Sequence, residues 1–144
     1  MADMMSKKQR SRNMKAIKSV SQLEQIVSSE LWKCGIRFRR NTESLFGRPD
    51  ISIKKYRVVI FIDSCFWHQC PVHGNMPKTN IDYWHAKLKR NVERDQEVNL
   101  HYENNNWFIK RVWEHEIKNN FSETINELIT FIQKAKRVEE NETD

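Results

Sequence analysis

The stretch GRPDISIKKYRVVIFIDSCFWHQCPVHG, residues 47–74, decides how the rest of the chain is read. DISIKK at 50–55 and YRVVIFID at 56–63 both suit β-strands, and the turn signal FGRP stands just ahead of them. Each strand has an aspartate at one end, Asp50 at the start of the first and Asp63 at the end of the second. If the strands are antiparallel neighbours, the two carboxylates meet at one edge of the sheet, where such groups bind Mg2+ for chemistry on a phosphate. Strand-end aspartates are also ordinary turn residues, so the dipeptide PD does not decide the matter alone. The second half of the stretch places Cys65, Cys70 and His73 as C-x4-C-x2-H, a spacing that lets one short loop wrap three donors round a tetrahedral zinc, with Pro71 and Gly74 as turn residues. The fourth donor must come from elsewhere: His115, just after WFIKRVWE, is the first candidate, with His68, His85 and His101 behind it. A closed Cys2His2 shell leaves no open position and makes the zinc structural. The alternative is two buried thiols beside surface histidines.

Outward from this stretch, IRFRR at 36–40 alternates and adds a third strand. Before it, SQLE at 21–24 forms a capping box in which Ser21 caps the helix and Glu24 reaches back. Leu23, Ile26, Val27, Leu31 and Cys34 then recur at helical spacing until Gly35, which places Cys34 in the core. Residues 80–104 read as a charged helix, 107–113 as a strand, and 122–136 as a helix burying Ile125, Leu128, Ile129 and Ile132. The tail RVEENETD, 137–144, is expected to be disordered. SKKQRSRNMKAIKS at 6–19 reads either as a basic arm laid on a phosphate backbone or as a solvated terminus. The order helix, three strands, helix, strand, helix, without repeats, predicts one α/β domain over 1–144: a mixed sheet flanked by helices, with a zinc loop attached.

Composition narrows the function. The chain has 144 residues, 38% hydrophobic and 31% charged, enough for one core under a soluble surface. Its longest apolar run, 58–62, is strand-length, and MADMMSKKQRSRN lacks the apolar stretch of a secretory signal, so a cytosolic location with no membrane association is expected. Three cysteines, an odd number, argue against a disulfide framework. A net charge of +6 and a pI near 9.3 favour a polyanionic partner, nucleic acid first, although charge alone does not separate this from acidic lipid.

RSRNMKAI at 10–17, LEQ at 23–25, GRPD, CFWH, YW at 83–84, NVERD at 91–95 and NWFIKRVWE at 106–114 together resemble the very-short-patch repair mismatch endonucleases, bacterial enzymes that nick DNA beside a T:G mismatch. The resemblance covers nearly the whole chain. It implies a restriction-endonuclease-like fold, a structural zinc, a Mg2+-dependent nick in double-stranded DNA 5′ to the mismatched thymine, and aromatic intercalation. Position by position, it implies Asp50 as the principal Mg2+ ligand, His68 as the catalytic histidine near the attacking water, and Glu24 and Asp95 as supporting acids. Phe66, Trp67 and Trp84 match the wedge that enters between base steps, with core packing as the other reading of Trp84. Arg10, Arg12 and Lys15 of the arm fall on the DNA. Ile62 and Asp63 stand where a prototype has Thr and His. Ile62 can still offer a backbone carbonyl to Mg2+, while Asp63 is left as a second Mg2+ ligand or a partner of His68. His115 takes the place of a cysteine ligand. The resemblance further implies a monomer in the bacterial cytoplasm, acting on DNA and helped by mismatch-repair proteins. A restriction-type nuclease acting on paired DNA and a non-catalytic, zinc-stapled mismatch-binding module are the competing readings.

Overall fold

The computed structural model describes residues 22–65 and 79–142. Within them the run VVIFID forms strand β3 (Val58–Asp63), and each of its residues is buried. A strand this uniformly apolar must be covered on both faces. It therefore lies inside a four-stranded sheet of order β1-β2-β3-β4, with β1 at Arg39–Arg40, β2 at Ile51–Ile53 and β4 at Phe108–Trp113. β2 runs antiparallel to both β1 and β3, whereas β3 and β4 are parallel, in register from Val58↔Phe108 to Asp63↔Trp113. A parallel pair needs a long crossover, and the 24-residue helix α2 (Ile81–Asn104) lies in that connection. Helix α1 covers 22–33, and α3 (Glu114–Asn119) and α4 (Phe121–Glu142) follow β4.

Side chains alternate between the faces of β3 and divide the core in two. Val58, Ile60 and Ile62 pack with Leu23, Val27 and Leu31 of α1 and with Ile125, Leu128 and Ile132 of α4. Val59 and Phe61 pack on the other side with Val98 and Tyr102 of α2. The result is the α/β layering expected, a mixed sheet flanked by helices. No described helix is long and apolar enough to cross a membrane.

Several expectations are corrected. The first long strand ends at Ile53, because Lys54–Tyr56 makes a 3-10 turn and Arg57 follows in the left-handed region at φ 55°. Only Arg39–Arg40 of IRFRR pairs in the sheet. Ile26 is 50% exposed and Cys34 is exposed. The buried stripe of α1 steps by four through Leu23, Val27 and Leu31, so Ile26 falls beside it, while Cys34 lies in the turn after the helix has ended. The short helix α3 was not foreseen. Residues 137–142 are helical rather than disordered: Ala135 is fully buried, and Glu139 Oε1 meets Arg57 Nε at 3.3 Å, which docks this end of α4 against the turn before β3.

Candidate active site

Asp50 owes its position to the GRPD turn. Gly47 has φ +77°, and a Cβ built there would lie 2.8 Å from Val98 Cγ2, so only glycine lets the loop close on α2. The pairing Ile51↔Ile60 sets Asp50 beside the end of β3, where the Ile62 N–H donates to Asp50 Oδ2 at 2.6 Å. Glu24 reaches the same point from α1, and the Asp50 carboxyl donates a hydrogen bond to it. Burial first, then this bond and the charge of Glu24, with a further contribution from Asp63, push the Asp50 carboxyl from 3.8 up to about 8, against the opposing pull of the Ile62 amide. At neutral pH the protonated form of the Asp50 carboxyl is favoured. Arg40 Nη2 stands 3.8 Å from Glu24 Oε2.

An open cleft of about 330 Å³ runs over this pair and is also lined by Asp63, Asn91, Arg94, Asp95 and Arg111. Arg111 Nη1 donates to Asp63 Oδ1 at 2.9 Å and to Oδ2 at 3.1 Å, and it lies 3.6 Å from Asp95 Oδ1. Its Nε donates to Asn99 Oδ1 at 2.7 Å, its Nη2 to the Asp95 carbonyl at 3.4 Å, and its plane rests 4.5 Å from the Phe61 ring centroid. Sequence reading passed over Arg111. The available signal was a charge on the same face of β4 as Ile109, the face that packs toward α2, where an arginine has to be paired.

Of the expected acids, Glu24, Asp50, Asp63 and Asp95 all line this cleft, although they are separated in sequence. Ile62 contacts Asp50 through its amide. Of the two readings of Trp84, the structure shows a side chain only 2% exposed, with Leu88 at 1%, while Ile81 and Tyr83 of the same turn are exposed. His85 is exposed, and the His101 ring lies against Phe46 at 4.6 Å. His68, Phe66, Trp67, Cys70, His73, Ser21, Arg10, Arg12 and Lys15 lie outside the described residues.

The start of α3 supplies the other meeting point. Cys65 Sγ lies 3.4 Å from His115 Nδ1, across 50 positions of sequence. The contact is an S···N hydrogen bond, and its length is close to the roughly 3.5 Å that separates two donors bonded at about 2.3 and 2.0 Å to one tetrahedral ion. Glu114 Oε1 accepts from the Cys65 amide at 3.1 Å, and Lys118 holds its Oε2 at 2.9 Å, which fixes the thiol's backbone. Among the described residues, no three His, Cys, Asp or Glu side chains group closely enough to hold a metal ion.

Helices on both sides of a mixed sheet, with carboxylates gathered in a cleft at the end of its inner strands, define an α/β protein with the kind of acidic site used in phosphodiester hydrolysis. The chain belongs to the very-short-patch repair endonuclease family: residues 2–73 match the family described as DNA mismatch endonuclease Vsr. It is 47% identical over 113 residues to the Type II nicking enzyme V.NaeI of Lentzea aerocolonigenes, covering 74% of this chain and 68% of that protein. It is 38% identical over 116 residues to the DNA mismatch endonuclease Vsr of Escherichia coli (strain K12), covering 79% and 74%. With the Type II nicking enzyme V.NmeDIP of Neisseria meningitidis serogroup C it shares 35% over 121 residues, covering 82% of each.

Proposed function

We propose that this protein nicks one strand of duplex DNA on the 5′ side of the thymine in a T:G mismatch, by Mg2+-dependent phosphodiester hydrolysis that opens a very short repair patch. The observation that carries the reading is the placement of Glu24, Asp50 and Asp95 on one open cleft, where Asp50 is anchored by the Ile62 amide and its burial favours the protonated carboxyl. Oxygen donors held this close suit a hard divalent cation, which takes the place of the proton. Asp50 is the principal ligand in this reading, anchored through Oδ2 by the Ile62 amide, and Glu24 and Asp95 support it. Mg2+ bound there supplies charge neutralisation for the phosphate and lowers the pKa of a bound water. His68 accepts the proton of the attacking water, a role suited to an imidazole near neutral pH.

Zinc is proposed on Cys65, Cys70, His73 and His115, supported by the spacing of the first and last of these. It ties the end of β3 to α3 and so steadies the loop that follows Cys65. Phe66 and Trp67, carried on that loop, are the proposed wedge. A mismatch is weakly stacked, so inserting rings there costs less than in paired DNA. Arg10, Arg12 and Lys15 supply phosphate contacts from the N-terminal arm. The protein acts as a monomer on bacterial cytoplasmic DNA, in concert with mismatch-repair proteins.

The test is a panel of end-labelled heteroduplexes of one flanking sequence. A Mg2+-dependent cut 5′ to the thymine of T:G, with the paired duplex intact, is the expected result. Equal cutting of the paired duplex would point to a restriction-type nuclease, and tight mismatch binding without product at any cation concentration would leave only a binding module.

A further inference from the structure

We infer that Arg111 is a positioning residue that withdraws Asp63 from cation binding and fixes Asp95 at the rim, leaving Glu24 and Asp50 as the carboxylates that hold the divalent cation. The inference rests on the cation reading of the cleft given above. One guanidinium nitrogen lies within 3.1 Å of both Asp63 oxygens, and the Asp63 side chain is 4% exposed, so its negative charge is compensated where water screens little. A dication taken up by Asp63 would have to sit beside that guanidinium and be repelled by it. The remaining nitrogens bind Asn99 and the Asp95 carbonyl, so the same group clamps one turn of α2 against the sheet. That turn is continuous with the part of α2 that brings Asn91, Arg94 and Asp95 to the cleft. β4 places the guanidinium by register, since Arg111 is the Cα partner of Phe61, two residues before Asp63 on the adjacent strand. Asp63 is thereby set apart from one of the two roles that sequence left open, that of a second Mg2+ ligand.

The experiment uses the full zinc-containing chain and Mn2+ as probe, reading free Mn2+ by electron paramagnetic resonance. Loss of a ligand carboxylate in Asp50→Asn should weaken Mn2+ binding by about 30-fold or more, and Asp63→Asn should change it by less than about threefold. Arg111→Met, which removes the guanidinium beside Asp63, should tighten Mn2+ binding by about tenfold. The same variant should slow single-turnover nicking at saturating Mn2+, with Arg111→Lys restoring part of the rate. A purely structural Arg111 would lower stability and leave Mn2+ affinity where it was. Weakening in Asp63→Asn equal to that in Asp50→Asn overturns the inference, as does a folded Arg111→Met variant of unchanged or lower affinity. Should Arg111→Met fail to fold, the comparison of the two aspartate variants decides. Unchanged Mn2+ affinity in Asp50→Asn would instead remove the cation reading on which the inference stands.

Discussion

Replacing Asp50 with asparagine should abolish nicking and yet stabilise the protein at neutral pH. The Asp50 carboxyl is pushed from 3.8 to about 8, chiefly by burial and then by Glu24, so the folded chain keeps a proton that the unfolded chain has lost. Below about pH 4 both states hold that proton and the site costs nothing. As pH rises from about 4 to about 8 the unfolded state is favoured progressively, and above that the penalty is constant. At about 1.4 kcal/mol per pH unit, the penalty at pH 7 has a ceiling on the order of 4 kcal/mol. Asparagine carries no charge, can accept the Ile62 amide hydrogen through Oδ1 and can donate to Glu24 through Nδ2, which keeps both contacts that Asp50 makes. Burial of the amide still costs something, so a net gain of about 1–3 kcal/mol is expected at pH 7. At roughly 3 °C per kcal/mol for a chain of this size, Tm should rise by about 3–9 °C. Thermal unfolding followed by circular dichroism from pH 4 to pH 9, without added divalent cation, reads the difference directly. A variant less stable than wild type at pH 7, or a gain of the same size at pH 4, would refute the argument that Asp50 is a strained acid.

Other expectations follow from the same geometry. Gly47→Ala meets both a positive φ of 77° and the Val98 methyls at 2.8 and 2.9 Å, and should lose about 2–3 kcal/mol in urea unfolding; an unchanged midpoint would mean that the loop need not close on α2. Elemental analysis should find close to one zinc per chain, and Cys65→Ser should lose both metal and fold, whereas undisturbed folding after complete chelation would contradict a structural ion. Deleting residues 1–19 should flatten the salt dependence of DNA binding, since each lost phosphate contact removes a released counterion; an unchanged slope returns that segment to the solvated-terminus reading.

Much of the architecture was legible because it is periodic. The run VVIFI read as strand-length, residues 80–104 read as a charged helix, and GRPD marked the turn that delivers Asp50 to the sheet. Errors gathered where period alone is ambiguous. Ile26 and Cys34 fit the helical stripe loosely, and their exposure depends on which face α1 turns to the sheet. The tail RVEENE, polar enough to look disordered, is helical, with Glu139 meeting an arginine more than eighty positions earlier. Trp84 lies in a motif that resemblance assigns to DNA, and its side chain is buried here, a property that the motif alone does not carry.

By itself the sequence determined the elements, their layering and the residue types from which a cleft and a zinc loop could be made, since hydrophobic period and turn chemistry act over a few residues. Only the tertiary structure decided which charges meet: Glu24 with Asp50, and Arg111 with Asp63 and Asp95. The physical reason is that a buried charge takes its partner from whatever strand register and helix docking bring within about 3 Å, and local pattern carries no record of that distance.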